Sequence, residues 1–169
     1  MVTTTQSKLV YRKPTAEDGG KVWQLVKDTQ VLDLNSAYSY IMFCDYFADT
    51  CVVAESDGAI VGFVSAFCPP GNAETLFVWQ VAVDSSQRGK GVATELLRVL
   101  MQREACRQVN MVELTISPSN QASRALFMRM ARELNTDMNV RSGYAAALFP
   151  GGGHEDEELY QIGPIPSAK

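Results

Sequence analysis

Val78-Trp79-Gln80-Val81-Ala82-Val83-Asp84-Ser85-Ser86-Gln87-Arg88-Gly89-Lys90-Gly91-Val92-Ala93 reads as a buried strand, a short polar turn and a glycine-rich step straight into a helix. At such a step successive backbone N–H groups point at one spot in space, and the helix N-terminus adds partial positive charge there. An anion, above all a pyrophosphate, is the natural occupant.

Two familiar phosphate loops fit poorly. A nucleotide P-loop ends in Gly-Lys-Ser/Thr, with the hydroxyl on Mg²⁺. Here Lys90 is followed by Gly91 and Val92, so that hydroxyl is missing. A dinucleotide fingerprint needs three glycines and an acidic residue at the end of the next strand. Gly89 and Gly91 fill two places, but Thr94 stands at the third, and the next strand ends in Ser117-Pro118-Ser119 without a carboxylate.

Outward from this loop, residues 75–83 form a central strand. Val92, Ala93, Leu96, Leu97, Leu100 and Met101 recur at helical spacing, so the loop opens an amphipathic helix. Alternating Val112, Leu114 and Ile116 predict a strand over 111–117. Asn120 begins a helix with Ala122, Leu126, Met130 and Leu134 on one face. Residues 138–148 and 158–162, around the glycines at 151–153, are expected to pair as an antiparallel hairpin, with a loose tail from Pro164.

Upstream, 50–55 and 59–67 are apolar and β-branched, joined at Asp57-Gly58, a hairpin signal. A short strand over 9–11 precedes Pro14, and Thr15 caps a helix running to about Lys27. The segment from Asp33 to Tyr40 enters a second helix over 38–47. The order β, α, α, β, β, β, α, β, α, β, β predicts a mixed α+β fold, a sheet with helices on both faces.

The chain has 169 residues and 46% hydrophobic content, which suits one globular domain over 1–169 with mobile termini. No apolar run approaches a membrane span, and residues 1–7 lack an apolar signal core, so neither membrane nor export is expected. A net charge of −4 without a basic block argues against nucleic acid and is compatible with a cationic substrate. Cys44, Cys51, Cys68 and Cys106 form no C-x-x-C pair, and there is one histidine, so no metal site is expected. Reduced thiols of a cytoplasmic protein are the simpler reading.

Arg88, Gly91 and Ala93 fill the fixed positions of the signature Q/R-x-x-G-x-G/A, and the chain resembles the GNAT acyl-CoA N-acetyltransferases over nearly its whole length. The resemblance implies a mostly antiparallel sheet splayed at the central strand, acetyl-CoA as co-substrate and a homodimer. It implies that the amides of Arg88, Gly89, Lys90, Gly91, Val92 and Ala93 hold the coenzyme pyrophosphate. It further implies that the main chain of Val81, Ala82 and Val83 bonds pantetheine, with the Val81 N–H a donor to the acetyl oxygen. After the fifth strand the family pattern reads here as Asn120, Ser123, Leu126, Phe127, which carries Asn120, Ser123 and Phe127 over as coenzyme contacts. Asn120 equally suits a helix cap. Phe127 stands where many members place a tyrosine that protonates the leaving thiolate, so no general acid is assigned.

Four further strings, Leu76 to Val83, Thr115 to Asn120, Asp33-Leu34-Asn35-Ser36 and Gly153-His154-Glu155-Asp156-Glu157-Glu158, resemble the L-2,4-diaminobutyrate acetyltransferase branch of ectoine biosynthesis. The acceptor would then be the γ-amino group of a small molecule with two ammonium groups and one carboxylate. Asp33 and Glu158 are the candidates to bind the amino groups, and Trp79 to wall the site. Asn35, Ser36, Tyr38 and His154 are further candidate substrate contacts. Such an amine enters protonated, because its pKa in water is about 10. Asp33, Glu158, His154 or bulk water are all open as proton acceptors. Another small amine as acceptor, or a module that binds acyl-CoA without turnover, are the alternatives.

Overall fold

Asp57 and Gly58 have φ of +50° and +81°, the left-handed pair that a two-residue hairpin turn requires. They join β2 (Val52–Ser56) to β3 (Ala59–Phe67) in antiparallel register, Val53 opposite Phe63 and Ser56 opposite Ala59. The computed structural model describes residues 8–166; the expectations about residues 1–7 and the last three residues of the tail lie outside them. β1 (Val10–Arg12) adds to the outer edge of β2, and β4 (Thr75–Val83) follows β3 in the sheet. Val52, Val53 and Ala54 are consecutive and all buried, so both faces of β2 are covered.

Between β1 and β2 lie α1 (Gly19–Thr29) and α2 (Ala37–Tyr46). They cross closely at Gly19, where a Cβ would stand 2.5 Å from the Ile41 Cα. After β4 come α3 (Val92–Met101), β5 (Met111–Ile116), α4 (Gln121–Glu133), β6 (Met138–Tyr144) and β7 (Glu157–Ile162). The seven strands run in the order β1-β2-β3-β4-β5-β7-β6. Among the strand pairs β1–β2, β2–β3, β5–β7 and β6–β7 are antiparallel and β4–β5 is parallel, the mixed, mostly antiparallel sheet expected. The β4–β5 ladder has three pairs, Thr75–Met111, Leu76–Val112 and Phe77–Glu113, while β4 itself continues to Val83.

Two compact units divide the chain. One takes the residues up to Ala66 together with Gln80–Ala105; the other takes Phe67–Trp79 together with the residues from Cys106 onward. In the first, Val92 and Leu96 of α3 lie over Gly62 of β3, where a Cβ would come within 3.1 Å of Val92 Cγ1. In the second, β5 buries Val112, Leu114 and Ile116 on one face.

Several boundaries differ from expectation. Residues Ala16–Asp18 form a separate 3₁₀ turn before α1, because Asp18 reaches back to accept from the Thr15 N–H at 2.8 Å and from Arg12. The second strand begins at Val52 and not at residue 50. Ala48–Thr50 turn instead, with the Thr50 hydroxyl 2.6 Å from the Ala66 carbonyl. β6 stops at Tyr144, where its register with β7 shifts beside Gly143. A Cβ on Gly143 would stand 2.2 Å from the Glu157 carbonyl oxygen. The tail is hydrogen-bonded through Ile165, whose N–H donates to the Asn110 carbonyl at 2.7 Å. No buried side-chain nitrogen or oxygen among the described residues lacks a hydrogen-bond partner.

Candidate active site

β4 leaves the sheet at Asp84, whose N–H donates to the Val61 carbonyl at 2.8 Å. Asp84 Oδ1 accepts from the Ser86 N–H at 2.9 Å and the Ser86 hydroxyl at 2.6 Å. Those two bonds hold its carboxyl below the ordinary aspartate range. A 3₁₀ turn, Ser85–Gln87, then delivers the chain to Arg88, Gly89, Lys90 and Gly91, all exposed. Gly89 and Gly91 have φ of +74° and +79°. A Cβ on either meets nothing within 4 Å, so backbone conformation, not crowding, favours glycine, and the loop surface stands open. Val92 is buried and anchors the start of α3; Ala93 is half-buried. The Glu95 N–H closes onto the Gly91 carbonyl at 3.0 Å. The amides from Gly89 to Ala93 precede that bond, at the helix N-terminus where N–H groups lack intrahelical acceptors. An open, amide-rich loop at the positive end of a ten-residue helix suits a pyrophosphate. Upstream of the loop, Val81 and Val83 are half-buried and Ala82 is buried.

The same unit holds the segment before α2. Asp33 and Ser36 are exposed and Asn35 is half-buried. Ser36 caps α2 by accepting from the Ser39 N–H at 3.3 Å. Tyr38 projects from the first turn of α2, 75% exposed.

The other unit holds Trp79, Asn120, Ser123, Phe127, His154 and Glu158. Trp79 is 36% exposed on a strand whose neighbours Val78 and Gln80 are buried. Asn120 does act as a helix cap, its Oδ1 accepting from the Ser123 N–H at 3.1 Å. Phe127 is a core ring, 3% exposed.

The acidic run has the sequence of a solvated stretch, but each member has a partner. Glu155 accepts from the Ser119 hydroxyl. Asp156 accepts from the Ala146 N–H at 2.7 Å. Glu157 lies 4.0 Å from His154 Nε2. Glu158 accepts from the Tyr160 hydroxyl at 3.3 Å and lies 4.0 Å from Arg124 Nη2. His154 stacks flat on Phe149, ring centroids 3.7 Å apart, and its Nδ1 is 2.6 Å from the Glu155 carbonyl oxygen. That carbonyl only accepts, so the Nδ1 carries the proton.

Sequence reading missed Tyr160, Arg124, Tyr40 and Gln80. Two signals were present. Tyr160 is two residues from Glu158 in a strand, hence on its face. Gln80 is a lone amide in the apolar run of β4. Among the described residues no group of three or more His, Cys, Asp or Glu side chains is placed to hold a metal. Nor is any described helix long and apolar enough to cross a membrane.

The sheet order, the short parallel ladder and the open amide loop are those of an acyl-CoA-dependent acyltransferase, and the chain belongs to the acetyltransferase (GNAT) family, whose model matches residues 21–131. It is 51% identical over 162 residues to the L-2,4-diaminobutyric acid acetyltransferase of Halalkalibacterium halodurans, covering 96% of this chain and 85% of that protein. It is 51% identical over 157 residues to the enzyme of that name from Marinococcus halophilus, covering 93% and 91%. Among solved structures it is similar to the diaminobutyrate acetyltransferase EctA of Paenibacillus lautus, in complex with its substrate L-2,4-diaminobutyric acid and coenzyme A. The TM-score is 0.92 and the identity 52%, over 96% of this chain and 99% of that one.

Proposed function

We propose that this chain transfers the acetyl group of acetyl-CoA to the γ-amino group of L-2,4-diaminobutyrate, giving N-γ-acetyldiaminobutyrate in ectoine biosynthesis. The observation that carries the reading is the 52% identity, along 96% of the chain, to a protein solved with diaminobutyrate and coenzyme A. The residues fit the chemistry. The Arg88–Ala93 amides offer a cradle for the coenzyme pyrophosphate, and the Val81–Val83 main chain a line of bonds for pantetheine. Asp33 and Glu158 are the carboxylates assigned to the two ammonium groups, Asn35, Ser36, Tyr38 and His154 are assigned as further substrate contacts, and Trp79 as an aromatic contact.

Transfer is direct. The neutral γ-amine attacks the thioester carbonyl, and the Val81 N–H stabilises the developing oxyanion. The carbon–sulfur bond breaks with coenzyme A leaving as a thiolate, and the proton shed by the new amide nitrogen passes to that thiolate or to water. That thiolate is a fair leaving group without an acid at the Phe127 position, because a thiol has a pKa of about 8.5. Glu158 accepts the proton of the γ-ammonium. Its support is its orientation by Tyr160 and Arg124, with 37% of its side chain still exposed. Residues 1–169 act as one GNAT domain, a reading supported by a family match that spans both compact units. The enzyme is a cytoplasmic homodimer. The cellular compartment rests on acetyl-CoA supply. The dimer rests on the edge strand β6, which leaves Val140 and Tyr144 exposed.

The test offers diaminobutyrate, ornithine, lysine and putrescine with acetyl-CoA and follows thiol release. A kcat/KM for diaminobutyrate at least about tenfold above the others, a margin of about 1.4 kcal/mol, is expected. Indifference among the four would remove the acceptor assignment, and coenzyme binding without any turnover would remove the enzyme. Light scattering on a sizing column checks the dimer, at twice the chain mass.

A further inference from the structure

A buried amide of β4 and a buried phenol of α2 bond to the main chain of the segment bearing Asp33 and Asn35. Gln80 sits inside β4, 6% exposed, in a run of apolar residues. Its Nε2 donates to the Asp33 carbonyl at 2.9 Å. Its Oε1 accepts from the Tyr40 hydroxyl at 3.0 Å. That hydroxyl in turn accepts from the Asn35 N–H at 3.4 Å. Tyr40 is fully buried in α2, and the Gln80 N–H is held by the Ser65 hydroxyl of β3 at 3.2 Å.

The chain of bonds has one direction only. The Asp33 carbonyl can only accept, which turns the amide nitrogen toward it and the amide oxygen toward Tyr40. The Tyr40 proton must then go to that oxygen, leaving a lone pair for the Asn35 N–H. Two main-chain positions two residues apart are so fixed to one rigid strand. A buried amide and a buried phenol are costly unless every such bond is made. A core that needed only stability would place an apolar residue at position 80.

We infer that Gln80 and Tyr40 are positioning residues for the amine acceptor: they hold the 33–36 segment in the one conformation in which Asp33 and its neighbours meet the substrate. This rests on the acceptor reading given above. Neither side chain needs to touch the substrate; both act through the main chain of Asp33 and Asn35.

The experiment compares Tyr40→Phe, Gln80→Met and Gln80→Glu with a control, Thr29→Val. The control removes another buried hydroxyl of the same unit, bonded to the Val26 carbonyl at 2.7 Å. Steady-state KM values for diaminobutyrate and acetyl-CoA are measured along with amide hydrogen exchange of the 31–36 segment. Tyr40→Phe and Gln80→Met are expected to raise the diaminobutyrate KM about tenfold, the equivalent of one lost hydrogen bond of about 1.4 kcal/mol. The acetyl-CoA KM stays within about twofold, exchange in 31–36 quickens, and Thr29→Val does neither. Gln80→Glu sets a carboxylate against the Asp33 carbonyl. Its defect relative to wild type shrinks as the pH falls, because the protonated acid regains a donor. The inference is overturned if the variants behave as Thr29→Val does, or if exchange in 31–36 is unchanged. A wild type that leaves diaminobutyrate unacetylated refutes the acceptor reading instead, and the exchange comparison alone then decides the network.

Discussion

Tyr160 and Glu158 stand two residues apart on one face of β7, and the Tyr160 hydroxyl donates to Glu158 Oε2 at 3.3 Å. Arg124 Nε donates to the same hydroxyl at 3.1 Å, filling a lone pair and directing the phenolic proton at the carboxylate. Tyr160 is 2% exposed, so its ring is fixed by packing while its oxygen works as a hinge pin between helix and strand. Tyr160→Phe keeps the ring and deletes the pin. The expected cost in stability is about 1 kcal/mol, for a half-buried guanidinium N–H that loses its acceptor. With Glu158 no longer aimed, kcat/KM for diaminobutyrate falls about tenfold while the acetyl-CoA KM holds. Thermal melts and initial rates on the purified variant check both; an unchanged kcat/KM removes the orienting role.

Gly91 precedes the first helical residue of α3 with φ +79°, in space that a Cβ would not crowd. Gly91→Ala therefore isolates backbone preference from steric clash. A left-handed alanine costs about 1–2 kcal/mol, which the loop relieves by turning its amides away from the diphosphate. The acetyl-CoA KM should rise about fivefold to tenfold with the diaminobutyrate KM near wild type. Initial rates at varied acetyl-CoA decide it, and a shift confined to the acceptor KM would refute this role for the loop.

What the sequence made legible was local. β4 was read with its observed bounds because an apolar run ends at Asp84, and α3 was read from Val92 because glycines at 89 and 91 break the chain just before it. The glycine-rich turn between them followed as well, since all its groups lie within a few residues. Glu158 and Arg124 are separated by more than thirty positions, and Gln80 meets the Asp33 carbonyl across 47. Periodicity carries no information about such partners. The misplaced start of β2 has the same cause, because Thr50 turns in order to bond Ala66, sixteen residues away.

Asp18 offers a test of stability against pH. Arg12 Nη1 and Nη2 reach its two oxygens at 2.8 and 2.9 Å, and Arg12 also bonds Glu55 at 2.8 Å, clamping β1, β2 and the turn before α1. The Arg12 bonds, foremost, hold the Asp18 carboxyl below its ordinary range, against the opposing effect of burial. A folded-state pKa below the unfolded one adds stability that is fully present above the unfolded value, about 3.9, and is lost as the pH falls through the folded value. Asp18→Asn should cost about 3 kcal/mol near pH 7. Because a protonated aspartate resembles asparagine, the gap to wild type should narrow progressively as the pH falls below about 4. Denaturant melts from about pH 7 to pH 2.5 follow it; a gap constant across that range contradicts the assignment.

The four thiols test the direct-transfer mechanism. Cys44 and Cys51 are fully buried, and burial pushes both thiols up to about 12. Cys106 is also buried. Cys68 alone is half-buried, its thiol raised by burial as well. Thiolate is the reactive form, so none of these resembles an acyl-accepting nucleophile, which needs a lowered pKa and access. A chromogenic disulfide reagent at about pH 8 should label only Cys68 in the native protein, and the other three only as fast as the chain unfolds. Cys68→Ser should therefore leave kcat within about twofold of wild type, since a group outside the transition state contributes nothing to kcat. Mixing enzyme with acetyl-CoA in the absence of amine should release no stoichiometric burst of coenzyme A. A burst, or a Cys68→Ser variant without activity, would put a thiol on the chemical path and replace direct transfer by an acyl-enzyme route.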